Sequence, residues 1–278
     1  MFKKFLLTIL AFSLINSANA ETLSLVQISD VHFPKKDYLS YEGRDLSLAI
    51  PNYERAIKQI NSDKEIEAVF FTGDFTDRSL EEVYIDFIKT TKKLNKKYYL
   101  AFGNHDVNSI AGFNKEQAIS FLKENTDTFK NEGSYVVELN EKFIAIVLDG
   151  AFDVEMSARG EYTKDTLKWL KEELKKNKDK NILIFQHFPL VEPEKDSLYI
   201  NTHRIKNKWR YTNLIKKYDN IVFIASGHYH VIGEFDKYGT KHYSTPALFL
   251  KPSYYRKITI DYDETKINKI KTQLIEIK

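Results

Sequence analysis

The 278-residue chain contains no cysteine. That excludes a disulfide scaffold, a thiolate zinc finger, an iron–sulfur centre and a cysteine nucleophile. No excess of one charge is present either: 42 Lys and Arg stand against 39 Asp and Glu, a net +3. Such a balance does not advertise nucleic acid as a partner. No apolar run reaches the roughly 20 residues that a membrane-spanning helix needs. Internal repeats, low-complexity tracts and Pro/Gly/Ser-rich linkers are also missing. The chain is instead 42% hydrophobic and 14% aromatic, enough apolar surface to build a packed core and to exclude disorder. With sulfur absent, a metal would have to be held by His, carboxylate or amide oxygen.

Residues 1–20 read as a secretory leader. Lys3 and Lys4 supply the positive start, Phe5 to Ile15 the apolar stretch, and Ala18-Asn19-Ala20 the small-residue cleavage site. An uncleaved anchor or a buried helix is the plainer alternative. Cleavage after Ala20 removes two lysines and no acid, which brings the net charge to +1. No cysteine follows the site, so a lipid would have no acceptor there. The expected location is periplasmic or secreted, with membrane contact only through the leader during export. Residues 21–278 are then expected to form one domain.

Short apolar runs alternate with amphipathic ones along that domain. Strands are expected at Leu23 to Ile28, Ile66 to Thr72, Lys97 to Phe102, Ile182 to Gln186 and Ile221 to Ala225. Ser134 to Leu139 and Phe143 to Leu148 read as a hairpin turning at residues 140–142. Helices are expected at Tyr53 to Ile60, Leu80 to Leu94, Lys115 to Lys123 and Lys164 to Lys175, where Leu167, Leu170 and Leu174 recur at helical spacing. The alternation indicates an α/β fold with largely parallel central pairing. From Gly233 onward the pattern becomes strand-like and hairpin-rich, with turns at 236–239 and 261–266.

The chemistry-bearing residues collect just beyond the strand ends, where ligands bind in open α/β sheets. Asp30-Val31-His32 follows the first strand, and on extended chain residues two apart share a side, so a carboxylate and an imidazole could meet one cation. Gly73-Asp74-Phe75-Thr76-Asp77-Arg78 follows the second. Gly103-Asn104-His105-Asp106 follows the third. His187 comes directly after Gln186, and Gly227-His228-Tyr229-His230 repeats the two-residue spacing. Each motif alone has an ordinary reading as turn chemistry. Five of seven histidines at strand exits, in order and accompanied by Asp30, Asp74 and Asn104, do not.

This ordered set resembles the calcineurin-like metallophosphoesterase family, and most closely its bacterial cyclic-nucleotide-phosphodiesterase-like branch. The resemblance runs from Asp30 to His230. It implies a four-layer α/β/β/α sandwich with two mixed central sheets. It further implies that Asp30, His32 and His230 hold one metal, Asn104, His187 and His228 a second, and that Asp74 bridges them. Two divalent transition-metal ions are implied; a sulfur-free nitrogen and oxygen shell suits Mn, Fe or Zn. Two such ions activate water and clamp a phosphoryl group, with Asn104 also facing the substrate. His105 would assist the leaving group, oriented by Asp77, although Asp77 also fits a structural turn carboxylate. Arg78 would grip a phosphate oxygen or pair with Glu81 or Glu82. Asp77 stands where purple acid phosphatases carry a tyrosine ligand, which argues against a tyrosinate–ferric site.

The expected function is therefore hydrolysis of a small phosphodiester or phosphomonoester. The alternatives are a non-catalytic interaction module on the same fold, or a nuclease using the basic segment from Arg204 to Arg210. That segment reads either as a phosphate-contacting rim or as a solvated helix face with one buried tryptophan. The pocket walls are expected from residues 33–47, 107–113 and 188–211. His203 and His242 take no role.

Overall fold

The computed structural model describes residues 20–37, 39–41, 44–129, 133–152, 157–192 and 200–278. The leader lies outside them except for Ala20. Strand β1 (Glu21–Ile28) leads to the two-residue strands β2 (Ser40–Tyr41) and β3 (Arg44–Asp45), helix α1 (Ala49–Ser62), β4 (Ile66–Thr72), α2 (Glu81–Thr91) and β5 (Lys97–Ala101). Next come α3 (Lys115–Asn125), β6 (Tyr135–Glu138), β7 (Phe143–Leu148), α4 (Lys164–Lys176) and β8 (Asn181–Gln186). The chain then forms α5 (Ile200–His203), α6 (Lys208–Ile215), β9 (Ile221–Ser226), β10 (Gly233–Lys237), β11 (Thr240–Ser244), β12 (Tyr254–Tyr262) and β13 (Ile267–Glu276).

Two mixed sheets result. One has the order β13-β12-β1-β4-β5 and the other β10-β11-β9-β8-β7-β6. Pairing is parallel through β1-β4-β5 and through β7-β8-β9-β11, and antiparallel at the outer strands. The strand-rich tail divides between them: β10 and β11 extend the second sheet, β12 and β13 the first.

Strand periodicity decides what meets at the centre. Neighbouring residues point to opposite faces, so Phe70 and Phe71 on β4 serve different layers. Phe70 stacks on Phe185 of β8 with ring centroids 3.8 Å apart, joining the two sheets. Phe71 faces outward, 5.9 Å from Tyr53 of α1 and 5.8 Å from Phe87 of α2. On the other side, buried Leu167, Leu170 and Leu174 place α4 against the second sheet. Burying one such side chain contributes about 1.5–3 kcal/mol.

Helix starts follow local chemistry. Asn114 accepts the Gln117 N–H while the Gln117 side chain returns to the Asn114 N–H, a reciprocal cap on α3. Thr163 caps α4 through the Thr166 N–H. The expected helices all form, but α1 starts four residues before Tyr53 and includes Pro51 in its first turn, which proline tolerates. Residues 188–211, expected as a pocket wall with a helix face as one reading of Arg204 to Arg210, contain α5 and the start of α6. The tryptophan there is not buried. Trp209 is 61% exposed, and the buried aromatic of α6 is Tyr211, whose hydroxyl donates to Gln186 Oε1 at 2.7 Å. Among the described residues no helix is long and apolar enough to cross a membrane.

Candidate metal centre

The parallel strands of both sheets deliver their exits to one place. Beyond β1 and β4 the chains stay paired: Asp30 N–H donates to Gly73 O (3.1 Å), His32 N–H to Asp74 O (2.9 Å) and Phe33 N–H to Phe75 O (3.0 Å). Gly227 N–H donates to His187 O at 3.1 Å, which fixes the β8 and β9 exits together. The second-sheet motifs thereby face the first-sheet motifs across the joint.

The two-residue spacing works for a reason other than extended-chain alternation. Asp30, His32, Asp74, His228 and His230 all have positive φ, between 46° and 74°. Non-glycine residues rarely adopt that left-handed region, and each instance costs about 1–3 kcal/mol. The turns aim both residues of each Asp-x-His or His-x-His pair inward. Two glycines are required by close approach. A Cβ on Gly103 would collide with the Asp74 carboxylate, and one on Gly227 with Ser29 Oγ and Asp30.

Two donor clusters form around one shared oxygen. Asp74 Oδ2 lies 3.7 Å from His32 Nε2 and 3.2 Å from His187 Nε2. The first cluster is Asp30, His32, Asp74 and His230, with His230 Nε2 3.3 Å from Asp30 Oδ1 and 3.2 Å from His32 Nε2. The second is Asp74, His187 and His228, with His228 Nδ1 and Asn104 Oδ1 at 3.0 and 3.2 Å from His187 Nε2. Imidazole lone pairs 3.0–3.2 Å apart repel unless a proton or cation lies between them. All seven proposed ligands are thus brought together.

Their remaining nitrogens are already committed. His32 Nδ1 donates to Asp77 Oδ1 (3.0 Å), His187 Nδ1 to Thr72 O (2.8 Å) and His228 Nε2 to His203 O (2.9 Å). Carboxylates and carbonyls accept only, so the opposite nitrogen of each ring is left to ligate. Protonation states agree. Burial pushes Asp74 up, but the histidines His187, His105 and His32 outweigh it and hold the carboxyl well below its usual range. Burial also raises Asp30, and His230 leads the groups that bring it below its ordinary value. Burial drops His32 to about 4, and burial with the neighbouring His187 holds His228 well down, so both rings stay neutral. Burial lowers His187, but Asp74 and Asp30 carry it up to about 9; a cation there would displace its proton. Ionised carboxylates, neutral imidazoles and an amide oxygen fit two borderline-soft divalent ions.

The residues assigned to the substrate behave differently. His105 sits at the cluster edge, its ring centroid 4.7 Å from that of His32, and Asp74 Oδ1 accepts its backbone N–H at 2.8 Å. Its Nδ1 meets the main-chain oxygen of Asp77 at 2.9 Å. The Asp77 carboxylate is turned to His32, and it is the main-chain carbonyl of Asp77, not its carboxylate, that holds the His105 ring. Arg78 is half-buried near Lys35, and Glu82, one of its two expected partners, pairs with Lys35 at 2.7 Å. Arg44 of β3 also stands at the site. Its Nη1 lies 3.2 Å from His105 Nε2 and its Nη2 3.7 Å from Asp77 Oδ1. Arg44 falls within the expected wall of residues 33–47, but no motif marked it. The His203 carbonyl was equally invisible, since backbone atoms leave no signature in sequence. In the basic segment, Lys208 is paired with Glu192 at 2.6 Å and Arg210 lies over Trp209.

Two mixed sheets whose strand exits converge on twin Asp/His clusters define a metal-dependent phosphoesterase. The chain belongs to the calcineurin-like phosphoesterase family, whose model matches residues 23–232. It is a phosphoric ester hydrolase. It is 30% identical over 207 residues to a probable glycerophosphodiester phosphodiesterase, GpdQ, of Arcobacter nitrofigilis, covering 74% of this chain and 71% of that one. It is 26% identical to the 3',5'-cyclic adenosine monophosphate phosphodiesterase CpdA of Haemophilus influenzae, over 83% of this chain and 78% of that one. A dimetal phosphatase from Danio rerio shares the fold with a TM-score of 0.68 at 13% identity, covering 92% of this chain and 99% of that one.

Proposed function

We propose that this chain is an exported hydrolase of small phosphodiesters, working with two transition-metal ions drawn from Mn, Fe and Zn. The observation that carries this reading is the single Asp74 oxygen shared by the two clusters. Asp30, His32 and His230 with Asp74 would hold one ion; Asn104, His187 and His228 with Asp74 would hold the other. When bound, the pair supplies an activated water and neutralises charge on the phosphoryl group. The protein does the rest. Asp77, Thr72 and His203 fix the ligand rings through hydrogen bonds. Asp74 Oδ1 accepts the His105 backbone N–H and the Asp77 carbonyl accepts its Nδ1–H. Nε2 is thus the atom left to face a departing alkoxide and, from the doubly protonated ring, to give it a proton, an effect worth typically 10²–10⁴-fold.

The two relatives matched by sequence are named as a probable glycerophosphodiester phosphodiesterase and a cyclic adenosine monophosphate phosphodiesterase, and that supports the diester over the monoester. The leader expected over residues 1–20 supports export, and residues 21–278 would form the mature domain. A balanced charge favours a small ester over nucleic acid. The intact ligand set and His105 weigh against a non-catalytic module.

The test uses the mature protein supplemented with Mn²⁺, assayed on bis(4-nitrophenyl) phosphate and 4-nitrophenyl phosphate. Diester hydrolysis should exceed monoester hydrolysis, stop on chelation and fall sharply in Asp74→Ala and His105→Ala. Hydrolysis that survives chelation and both substitutions would sink the proposal.

A further inference from the structure

We propose that Arg44 is a substrate-binding residue: its guanidinium takes a phosphoryl oxygen on the leaving-group side of the site. This rests on the hydrolase reading above. Three observations place it there. Nη1 stands 3.2 Å from His105 Nε2, the nitrogen turned to the leaving group. Nη2 is drawn towards Asp77 Oδ1 at 3.7 Å, which sets the plane of the fork. The side chain is 18% exposed, so its charge is partly desolvated.

Chemistry then selects the ligand. An imidazole nitrogen is a neutral acceptor for a guanidinium N–H. A phosphoryl oxygen is an anionic one, and charge-assisted hydrogen bonds are roughly twice as strong as neutral ones. The planar fork matches phosphate geometry, which a lysine point charge does not. An incoming phosphate ester therefore outcompetes His105 for Nη1 and frees the Nε2 lone pair to take up a proton from solvent, which it can then give to the leaving oxygen. The group that occupies this position comes from β3, within the hairpin after β1. The same His32, Asp77 and His105 side chains could be imagined as a third metal site. A guanidinium against His105 opposes a second cation there.

The test measures binding of inorganic phosphate to the Mn²⁺-loaded protein by calorimetry, beside steady-state hydrolysis of bis(4-nitrophenyl) phosphate. Arg44→Ala should weaken phosphate binding roughly 10- to 100-fold, the scale of a lost hydrogen bond to a charged group. KM should rise by a similar factor with a smaller fall in kcat. Arg44→Lys should recover part of the affinity. Metal content and melting temperature should match the wild type. Phosphate affinity within twofold of wild type in Arg44→Ala overturns the inference. So does a loss of bound metal in that variant, which would make Arg44 a support for Asp77. If the wild type binds phosphate through Arg44 but hydrolyses no ester, the hydrolase reading fails and this one stands; if it binds no phosphate, this one fails.

Discussion

Asp77 Oδ1 accepts a hydrogen bond from His32 Nδ1 at 3.0 Å. The carboxylate therefore belongs to the metal-binding side of the site, and its influence on the leaving group passes only through its backbone. Asp77→Ala should lower metal affinity about 10- to 100-fold, as loss of an outer hydrogen-bond partner does. His105→Ala should leave metal content intact while kcat falls. Elemental analysis after dialysis checks both. Full metal retention in Asp77→Ala would mean that the carboxylate does not support His32 as a ligand.

Gly227 is required by close contact and not by its backbone angle. In Gly227→Ala the new methyl must displace Ser29 or Asp30. Overpacking of this kind costs about 1–3 kcal/mol. Denaturant melts should show that loss, and the variant should bind less metal, because Asp30 is the group pushed aside. A variant as stable and as metal-rich as wild type would contradict the packing described.

His242 gives the acid limb of stability a separable component. Its ring is buried, with Nε2 donating to Lys237 O at 3.0 Å, and burial brings its pKa down to about 4. Above pH about 6.5 the residue is neutral in both states and has no effect. Below that the unfolded chain takes up a proton that the folded chain refuses. Stability should fall by about 1.4 kcal/mol per pH unit, reaching about 3 kcal/mol by pH 4. His242→Gln removes that proton and keeps a donor for Lys237 O. Its denaturant midpoint should fall less steeply between pH 6.5 and 4 than that of wild type; parallel curves would refute the assignment.

The Phe70–Phe185 stack joins the sheets at their centre. Phe185→Ala should cost about 3–5 kcal/mol, the range for deleting a buried aromatic. Since His187 directly follows β8, thermal melts with and without Mn²⁺ should show a larger stabilisation by metal in the variant only if the sheets loosen together. An equal metal-dependent shift in both proteins would mean that the joint and the site are energetically independent.

Much of this was legible before any coordinates. The strand runs were marked by apolar side chains, and Asp30, His32, Asp74, Asn104, His105, His187, His228 and His230 by their place at strand exits. Boundaries were less visible where tertiary packing decides them, as with the first turn of α1. Trp209 was misplaced because hydrophobic size was taken for burial, while Tyr211, with a hydroxyl partner on Gln186, went inside. Arg44 lay in a stretch with no periodicity, and its role depends on a hairpin folding back over His105. Asp77 shows the finer limit. Residue identity located it within reach of two imidazoles, but which of its oxygens meets which ring depends on the path of the backbone.

The left-handed backbones at Asp30, His32, Asp74, His228 and His230 have an evolutionary consequence. These five positions store conformational strain that the fold tolerates in return for aiming ligands at one point. A mutant library screened for thermal stability alone, in chelator, should therefore enrich glycine or asparagine at them and discard the metal site first. The same library screened for hydrolysis should leave them untouched and gain its stability elsewhere. Robustness and chemistry are selected at different addresses in this chain, and the five addresses where they conflict can be named in advance.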